Sequence, residues 1–348
     1  MAHDPADVVP VAGPSDAETL YGRIGSLLPG IVLCALVAAA ALLLRHVAGL
    51  TALSPMIVSI ALGAFLHNAI GTPVAAKPGV AVSLRWILRF AIVLLGFQLT
   101  LQQVLDVGAT GLAIIAVSLI ACFAVTKPLG AALGVDARLS ELIAAGTSIC
   151  GASAVIAANT ITKAPEEDCA YAVACVTLCG MVAMVFYPLL PVLLGLSARE
   201  YGLWTGASVH EVAQVVAASY QAGKEAGDYA TITKLTRVIM LAPMMMVLGA
   251  LATHRANALG PRSRVPLPYF ALGFIAAIAL NSTVDIAPPA KDMIVAATTF
   301  LLALSLAAMG LATDVRKLAP KGARPLLLGV LSSVFIAVLS LLLVKLVA

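Results

Sequence analysis

Nine long apolar runs, separated by short polar connections, make up most of the chain. They lie at residues 24–44, 55–70, 80–100, 107–125, 169–194, 231–252, 266–280, 293–311 and 326–347. A run of about 20 apolar residues forms a helix that is long enough to cross the hydrocarbon core of a bilayer. Lipid offers no hydrogen-bond partner for the backbone, so such segments must be helical. The sequence therefore predicts an all-α polytopic membrane protein.

Composition agrees with this fold class, because 61% of the residues are hydrophobic, 11% are charged and the mean hydropathy is +1.04. The length allows a polar N-terminal tail, residues 1–21, and a single transmembrane transporter domain, residues 22–348. The tail contains four acidic residues and no basic segment leading into the first run, which argues against a cleavable signal peptide. The net charge of +4 is dispersed, so a nucleic-acid partner is not expected.

Two polar segments interrupt this pattern, GTSICGASAVIAAN from Gly146 and GASVHEVAQVVAAS from Gly206. They align without a gap and share glycine, serine, valine and two alanines. Polar groups at membrane depth usually handle a solute. The segments either cross the membrane fully, in parallel, or form re-entrant hairpins that enter from opposite sides and meet near the midplane. Broken backbone is tolerated at that depth where it lines a cavity. About 9 to 11 membrane helices are predicted.

Lysine and arginine are concentrated in alternate connections, and such basic loops stay cytoplasmic. The basic positions on one side are Arg23, Lys77, Lys127, Arg138, Arg255, Arg262, Arg264, Arg316, Lys317, Lys321 and Arg324. The opposite connections contain Arg45, Lys224 and Lys291. This asymmetry predicts a cytoplasmic N-terminus, an external C-terminus and an odd number of crossings.

A second internal similarity occurs at a separation of 214 residues. The matching pairs are Gly96 and Gly310, Gly108 and Gly322, Ala109 and Ala323, Leu112 and Leu326, and Ser118 and Ser332. By the charge pattern the two copies run in opposite directions across the membrane. Inverted repeats are common in secondary transporters, so we predict an inverted-repeat helical bundle.

Five strings in the chain are distinctive: LLGFQLT from Leu94, SICGASAVIAA from Ser148, APEED from Ala164, FYPLLP from Phe186 and GLWTGASVHEVAQVVAA from Gly202. With these strings the chain resembles the YeiH-like family of bacterial membrane proteins, to which sulfate export is ascribed. That family is distantly similar to the cation/proton antiporter and anion transporter superfamily. The resemblance implies two broken, inversely oriented elements in a mobile core, elevator-like alternating access, and a multi-pass protein of the bacterial inner membrane.

The first polar segment contains small hydroxyl side chains and glycines, which suit a helix break that exposes backbone N–H groups to an anion. Its candidate substrate-binding residues are Thr147, Ser148, Cys150, Gly151, Ser153 and Asn159. The hydroxyls could instead bond back to helix carbonyls. Cys150 is more typical of a packing residue than of a nucleophile.

The second segment contains groups that can titrate. His210 and Glu211 are candidates for proton coupling, while Ser208 and Gln214 are candidates for substrate binding. Glu211 could instead pair with a nearby cation as a structural contact. The string HEVAQ has Gln214 where the zinc-peptidase motif HExxH has its second histidine, so no metal site is predicted.

Four further polar residues occur at or near the apolar runs. Asn68 and Asn281 follow comparable runs in the two repeats, where they either cap helices or line the pathway. Lys234 is predicted to snorkel to the membrane interface. Arg237 either snorkels as well or balances a bound anion.

Together these features predict a secondary transporter, in the direction of export, for a small anion such as sulfate or sulfite, with proton coupling or exchange. The alternative is an anion channel or a sensory anion-binding membrane protein. No phosphate-binding loop of the form GxxxxGK[ST] is present, which argues against ATP hydrolysis by this chain. Neither an enzymatic activity nor a cofactor is expected. The expected partners are the anion, protons or another coupling ion, membrane lipid and, in a homodimer, a second copy of the chain.

Overall fold

A computed structural model describes residues 16–47, 54–256, 269–284, 286–318 and 321–347, and in these residues all regular structure is helical. The helices are α1 (Asp16–Val47), α2 (Pro55–Ile70), α3 (Lys77–Val82), α4 (Leu88–Gly96), α5 (Leu101–Ala132), α6 (Ala137–Ser148), α7 (Ala152–Thr162), α8 (Glu166–Phe186), α9 (Leu190–Leu194), α10 (Ala198–Ser208), α11 (Val212–Ser219), α12 (Lys224–Ile239), α13 (Leu241–Ala256), α14 (Tyr269–Thr283), α15 (Pro288–Ala312) and α16 (Ala323–Val347). A π-helical turn, Ser83–Ile87, joins α3 to α4. The all-α prediction is confirmed. Helix α1 begins inside the predicted tail, and residues 1–15 lie outside the described part.

Seven helical stretches in the described residues are long and apolar enough to cross a membrane. Helices α2 and α14 are shorter, with 16 and 15 residues. At one end of α2, the Ser54 N–H bonds to Gln221, and at the other end the Asn68 side chain bonds to Thr313 at the end of α15. Helix α14 lies between the end of α13 and the start of α15, which are at opposite faces of the bundle. With α2 and α14, the crossings match the apolar runs of the sequence.

The two faces of the bundle can be distinguished by contacts between its connections. On one side Lys321 forms a 2.7 Å ion pair with Asp168, and Arg138 donates to the Lys163 carbonyl. We call this side the basic face. The side that holds Thr100, Glu200, Lys224 and Ser282 is called the far face. Among the basic residues predicted for one side, Lys127 pairs with Glu141 of α6, Arg138 donates to the Lys163 carbonyl and Lys321 pairs with Asp168, so these three share the basic face. Which face is cytoplasmic stays a prediction from the charge pattern.

Two equivalent helix crossings reveal the inverted repeat. Gly63 of α2 lies against Gly310 of α15, and Gly96 of α4 lies against Phe274 and Ala277 of α14. In each crossing a glycine lets two backbones approach closely, as small residues do between membrane helices. The α2–α15 pair and the α14–α4 pair are therefore counterparts.

Two asparagines make equivalent hydrogen bonds in the α2–α15 pair and the α14–α4 pair. Asn68 of α2 donates to the Thr313 carbonyl at the end of α15, at 2.9 Å. Asn281 of α14 donates to the Leu99 carbonyl just after α4, at 2.8 Å. Both therefore have the capping role that the sequence left open. The aligned glycines Gly108 and Gly322 also share positive φ values of 56° and 74°.

The helices form two groups with sparse contacts between them. The scaffold group comprises α1 to α4, α14 and α15, and it has a small core of its own around Cys34, Val80 and Ala307. The hairpin group comprises α5 to α8, α10 to α13 and α16. Between the groups, α11 touches both α2 and α15. The polar segments therefore lie inside one group, next to the boundary with the other.

We expect the repeat-related crossings to be equally sensitive to added volume. A Cβ on Gly310 would overlap the Ile60 carbonyl and the backbone of Ala64, and a Cβ on Gly96 would lie 2.7 Å from the Phe274 carbonyl. Gly310→Ala and Gly96→Ala should each lower the free energy of unfolding by about 1–3 kcal/mol, the usual cost of overpacking. Melting of the purified protein in detergent measures this effect.

The matched control for this experiment is Gly25→Ala, because nothing lies within 4 Å of a Cβ built on Gly25. This variant should have the same melting temperature as the wild-type protein. A Gly310→Ala protein as stable as the control would contradict the close helix crossing.

Candidate functional site

Each polar segment forms a pair of half-helices that returns to the face from which it started. Hairpin 1 consists of α6 and α7, and the Thr162 hydroxyl at its end donates to Glu141 near its start, at 2.7 Å. Hairpin 2 consists of α10 and α11, and Tyr201 near its start donates to the Ala218 carbonyl near its end. Hairpin 1 opens at the basic face and hairpin 2 at the far face. Of the two arrangements left open by the sequence, the structure adopts the opposed re-entrant hairpins.

The turn of each hairpin lies at the same place in the gapless sequence alignment. Tip 1 is the break at residues 149–151, and tip 2 is the break at residues 209–211. Gly151 has a φ of 70°, a left-handed conformation that glycine adopts without strain. The tips touch in the interior, where the Ala152 N–H donates to Glu211 Oε1 at 2.8 Å. The meeting of two opposed breaks corresponds to the re-entrant alternative that the sequence left open.

A lysine from α12 joins the two tips through their backbone carbonyls. Lys234 Nζ donates to the Ile149 carbonyl at 3.0 Å and to the Val209 carbonyl at 2.8 Å. These residues are the aligned first positions of the two breaks. The side chain of Lys234 is fully buried, so the prediction that it snorkels to the interface is wrong. The cation is held in the interior because two helix C-termini supply the oxygen atoms that it needs.

Arg237, one turn further along α12, binds the same C-termini. Its Nε donates to the Ser148 carbonyl at 2.8 Å, its Nη1 to the Val209 carbonyl at 3.2 Å, and its Nη2 to the Thr147 carbonyl. Arg237 is 1% exposed. Hydrogen bonds to a charged group contribute about 1.5–3 kcal/mol each, and the burial of an ion costs several kcal/mol. The carbonyls of the two breaks therefore offset much of the cost of burying these cations.

Close packing of α12 on α10 brings the cations within reach of tip 2. Gly202 and Gly206 form a GxxxG pattern on α10. A Cβ on Gly202 would lie 2.7 Å from the Ala226 carbonyl of α12, and one on Gly206 would lie 2.5 Å from the Ala230 carbonyl. Such glycine pairs let membrane helices approach to backbone contact. The sequence Gly202 to Gly206 therefore positions α12 behind hairpin 2.

The N-termini that follow the breaks are approached by a carboxylate. Glu211 stands at the start of α11 in a capping box with Gln214, whose Oε1 accepts from the Glu211 N–H at 3.1 Å. The same carboxylate accepts from Ala152 at the start of α7. A Cβ on Gly151 would overlap this carboxylate, so the glycine is needed for the close approach. The anion site predicted at the N-terminus of α7 thus contains an anionic group of the protein itself.

Two of the predicted site residues have buried polar atoms without a partner among the described residues. Thr147 Oγ1 and His210 Nδ1 are both unpaired. The other ring nitrogen of His210, Nε2, lies 3.1 Å from the Ser333 hydroxyl of α16. Buried polar groups are nearly always hydrogen-bonded. These two atoms, which are among seven of this kind in the described residues, are available to a ligand.

Three further candidates have their polar atoms occupied by the protein. The Ser148 hydroxyl donates to the Ala144 carbonyl, and the Ser208 hydroxyl donates to the Trp204 carbonyl at 2.6 Å. Gln214 Nε2 donates to the Thr177 carbonyl at 3.1 Å and contacts the Met309 sulfur. These contacts correspond to the local roles that the sequence left open for the serines. Their part in substrate binding stays a prediction.

The remaining candidates lie on hairpin 1. Cys150 is buried inside tip 1, and Ser153 is exposed on the first turn of α7, next to Ala152. Asn159 lies at the other end of α7, where its Oδ1 accepts from the Ala164 N–H at 2.8 Å. The structure therefore brings Ser153 to the tips and separates Asn159 from them.

A cavity of about 520 Å³ lies between the two helix groups on the side of the far face. The scaffold group lines it with Gln98 and Thr298, and the hairpin group lines it with Val216, Tyr220 and Lys224. Lys224 also donates to the Gln98 carbonyl across the boundary. The cavity therefore extends from the far face as far as Val216 in the middle of α11, on the side of hairpin 2.

Loss of the Lys234 ammonium should loosen both tips at once. Lys234→Met leaves the Ile149 and Val209 carbonyls without this donor, and an unsatisfied buried acceptor costs about 1–3 kcal/mol. We expect a lower melting temperature, with faster amide hydrogen exchange in residues 149–155 and 209–215. The control is Lys291→Met, which removes an exposed lysine of α15. Equal exchange at the tips in both variants would contradict the bridging role.

Comparisons with known proteins agree with the resemblance seen in the sequence. The family model described as Conserved hypothetical protein 698 matches residues 29–329. The UPF0324 inner membrane protein YeiH of Escherichia coli K12 is 38% identical over 310 residues, which cover 86% of this chain and 88% of the relative. The UPF0324 membrane protein PA5383 of Pseudomonas aeruginosa is 37% identical, with 89% and 91% covered, and the UPF0324 membrane protein Atu0671 of Agrobacterium fabrum is 35% identical, with 91% and 92% covered. No solved structure matches the chain significantly. The chain therefore belongs to the YeiH-like UPF0324 family and is a multi-pass protein of the bacterial inner membrane.

Proposed function

We propose that the protein is a secondary transporter that exports a small anion by elevator-like alternating access. The observation that carries this proposal is the meeting of two opposed re-entrant hairpins around buried polar groups. A purely structural membrane protein has no need of broken helices at membrane depth, where unsatisfied backbone is costly. Opposed half-helices that meet at the midplane are a recurrent way of building a transport site.

Charge at the tips supports an anion as the substrate. Lys234 and Arg237 are buried cations that bond to neutral carbonyls. Glu211 supplies one negative charge, so the ionised side chains here have an excess of positive charge. The two helix C-termini oppose this excess, while the N-termini of α7 and α11 add to it. A small anion is the solute that such a site stabilises best.

The donors around the tips favour an oxyanion. The exposed Ser153 hydroxyl and the N-termini of α7 and α11 offer O–H and N–H groups, which suit a ligand with several acceptor oxygens. Within this class we propose a sulfur oxyanion such as sulfate or sulfite, and export as the direction, on the resemblance to the YeiH-like family. Proton coupling through His210 and Glu211 accompanies the proposal, because both stand in tip 2.

The division into two helix groups supports alternating access. The hairpins, their cations and α16 belong to the hairpin group, which can shift against the scaffold group without separating the two tips. The far-face cavity between the groups gives a path along α11 in one state. Movement of the hairpin group towards the basic face would close this path and open one on the other side.

Counterflow tests the proposal against the alternative of a channel. Proteoliposomes that are preloaded with unlabelled sulfate and placed in dilute labelled sulfate should accumulate label transiently above equilibrium. A carrier gives this overshoot because loaded sites exchange across the membrane, whereas an open pore only equilibrates the label. A parallel melting screen with sulfate, sulfite, thiosulfate, a sulfonate and carboxylates identifies the anion class. Equilibration without an overshoot would favour the channel, and the absence of any anion effect would reject both functions.

Two single substitutions test the role of the tips. Ser153→Ala and His210→Ala each remove one polar group beside the proposed site and should lower anion flux by about tenfold, the value of one hydrogen bond to a charged ligand. The control is Ser340→Ala on α16, whose hydroxyl bonds to the Ile336 carbonyl away from the tips. Flux at the control level in both tip variants would remove these residues from the site.

A further inference from the structure

Glu211 is shared by two helices from different hairpins. It is the last residue of tip 2 and the N-cap of α11. Its carboxylate also accepts from the N–H of Ala152, the first residue of α7, at 2.8 Å. Helices α7 and α11 have 11 and 8 residues. The N-terminus of a helix carries roughly half a positive charge. The carboxylate therefore stands at the position where two partial positive charges converge.

The position of Glu211 is accessible although its neighbours are not. His210 and Val212 are buried, whereas Glu211 and Ala152 are partly exposed and Ser153 is exposed. Cys150 of tip 1 and Lys234 of α12 interact electrostatically with the carboxylate, His210 precedes Glu211 in tip 2, and Arg237 lies one turn beyond Lys234. Helices α8 and α15 contribute the Thr177 carbonyl and the Met309 sulfur, both through Gln214, and neither is charged. A proton or a small ion can thus reach the Glu211 carboxylate, which also interacts with the buried cation Lys234.

Unpaired polar atoms provide a second, independent indication of a ligand. Thr147 Oγ1, in the last turn of α6 before tip 1, and His210 Nδ1 of tip 2 have no partner among the described residues, and these residues are 0% and 1% exposed. A single side-chain carboxylate cannot satisfy both tips completely. An anion with more oxygen atoms could accept from the hydroxyl, from the imidazole and from the helix N–H groups together.

We propose that the Glu211 carboxylate acts as a tethered anion, which occupies part of the anion site when no substrate is bound and excludes the substrate while it is ionised. This inference rests on the proposed transport of an anion. Binding then proceeds with the uptake of one proton from water by a Glu211 carboxylate oxygen. The neutral side chain releases the Ala152 N–H, and the substrate oxygen takes its place. When the substrate leaves, the proton leaves and the carboxylate returns.

The exchange of one charged group for another has a clear thermodynamic consequence. Because a proton favours anion binding, the anion must favour proton binding to the same extent. Anion affinity should therefore rise as the pH falls, by up to tenfold per pH unit when one proton is coupled. The net charge at the tips changes less than it would if the anion entered alone, which lowers the barrier to movement of the hairpin group.

Calorimetry of the purified full chain with sulfate and with thiosulfate tests the inference, because both anions keep their charge between about pH 6 and pH 8. The wild type should bind more tightly as the pH falls and should take up about one proton per anion, measured from the buffer dependence of the heat. Glu211→Gln should bind with an affinity that changes less with pH than the wild-type affinity and that at pH 8 exceeds it. Glu200→Gln, at the far-face end of α10, should keep the wild-type pH dependence.

Glu211→Asp provides a second variant in case the glutamine variant does not fold. Its shorter side chain withdraws from Ala152, so it should bind sulfate more tightly than the wild type at pH 8. An affinity of Glu211→Gln that changes with pH as steeply as the wild-type affinity, or loss of binding at every pH in a variant that melts like the wild type, would overturn the competition. If the wild type binds and transports an anion without proton uptake, the tethered-anion inference fails and the transporter proposal stands. If the wild type binds and transports no anion, the proposed function fails.

Discussion

The binding of two helix C-termini by Lys234 and Arg237 is the interaction on which the arrangement of the site depends. A helix that ends inside a membrane protein leaves carbonyl groups without partners, and here hairpins 1 and 2 end α6 and α10 at the same depth. Five hydrogen bonds from two side chains of one helix satisfy these ends together. Because Val209 accepts from both cations, neither tip can move away from α12 without leaving a buried charge uncompensated. The opposed hairpins therefore behave as one unit.

The helix C-termini before the breaks and the helix N-termini after them are bound by side chains of opposite charge. On the C-terminal side, where helix dipoles are negative, the chain supplies two cations that are fully enclosed. On the N-terminal side, where the dipoles are positive, it supplies a single carboxylate that is partly exposed. The enclosed cations cannot exchange with solvent ions, whereas a proton or an anion can compete at the carboxylate. This difference in access separates the part of the site that fixes the hairpins from the part that can respond to a solute.

Much of this architecture could be predicted from the sequence. The apolar runs gave the crossings, the alternation of basic residues gave their directions, and the gapless alignment of the polar segments placed both breaks at equivalent residues. The repeat at a separation of 214 residues is visible in space as paired contacts of Gly63 with Gly310 and of Gly96 with Ala277. The role of Lys234 was mispredicted, because its distance from both tips along the chain gives no local sign that α12 passes behind them. A pair of cations at i and i+3 within an apolar run was the available signal. Asn159 was included among the candidates only because it belongs to the first polar segment. It lies near the end of α7, and a helix of 11 residues is long enough to separate that end from the break.

The contacts at the boundary between the helix groups determine how easily the hairpin group could move relative to the scaffold group. Few polar contacts cross the boundary near the far face: the Ser54 N–H donates to Gln221, Lys224 donates to the Gln98 carbonyl, and the Leu101 N–H donates to the Ser282 hydroxyl. Deeper in the bundle, Gln214 of the hairpin group meets Met309 of α15 through a weak contact to sulfur. Each of these contacts is exchangeable with water or with a neighbouring group at little cost, in contrast to the five bonds inside the hairpin group. In the alternating access that we propose, a displacement that preserves the tips and breaks this boundary would carry Glu211 and its surroundings past α15 as a body.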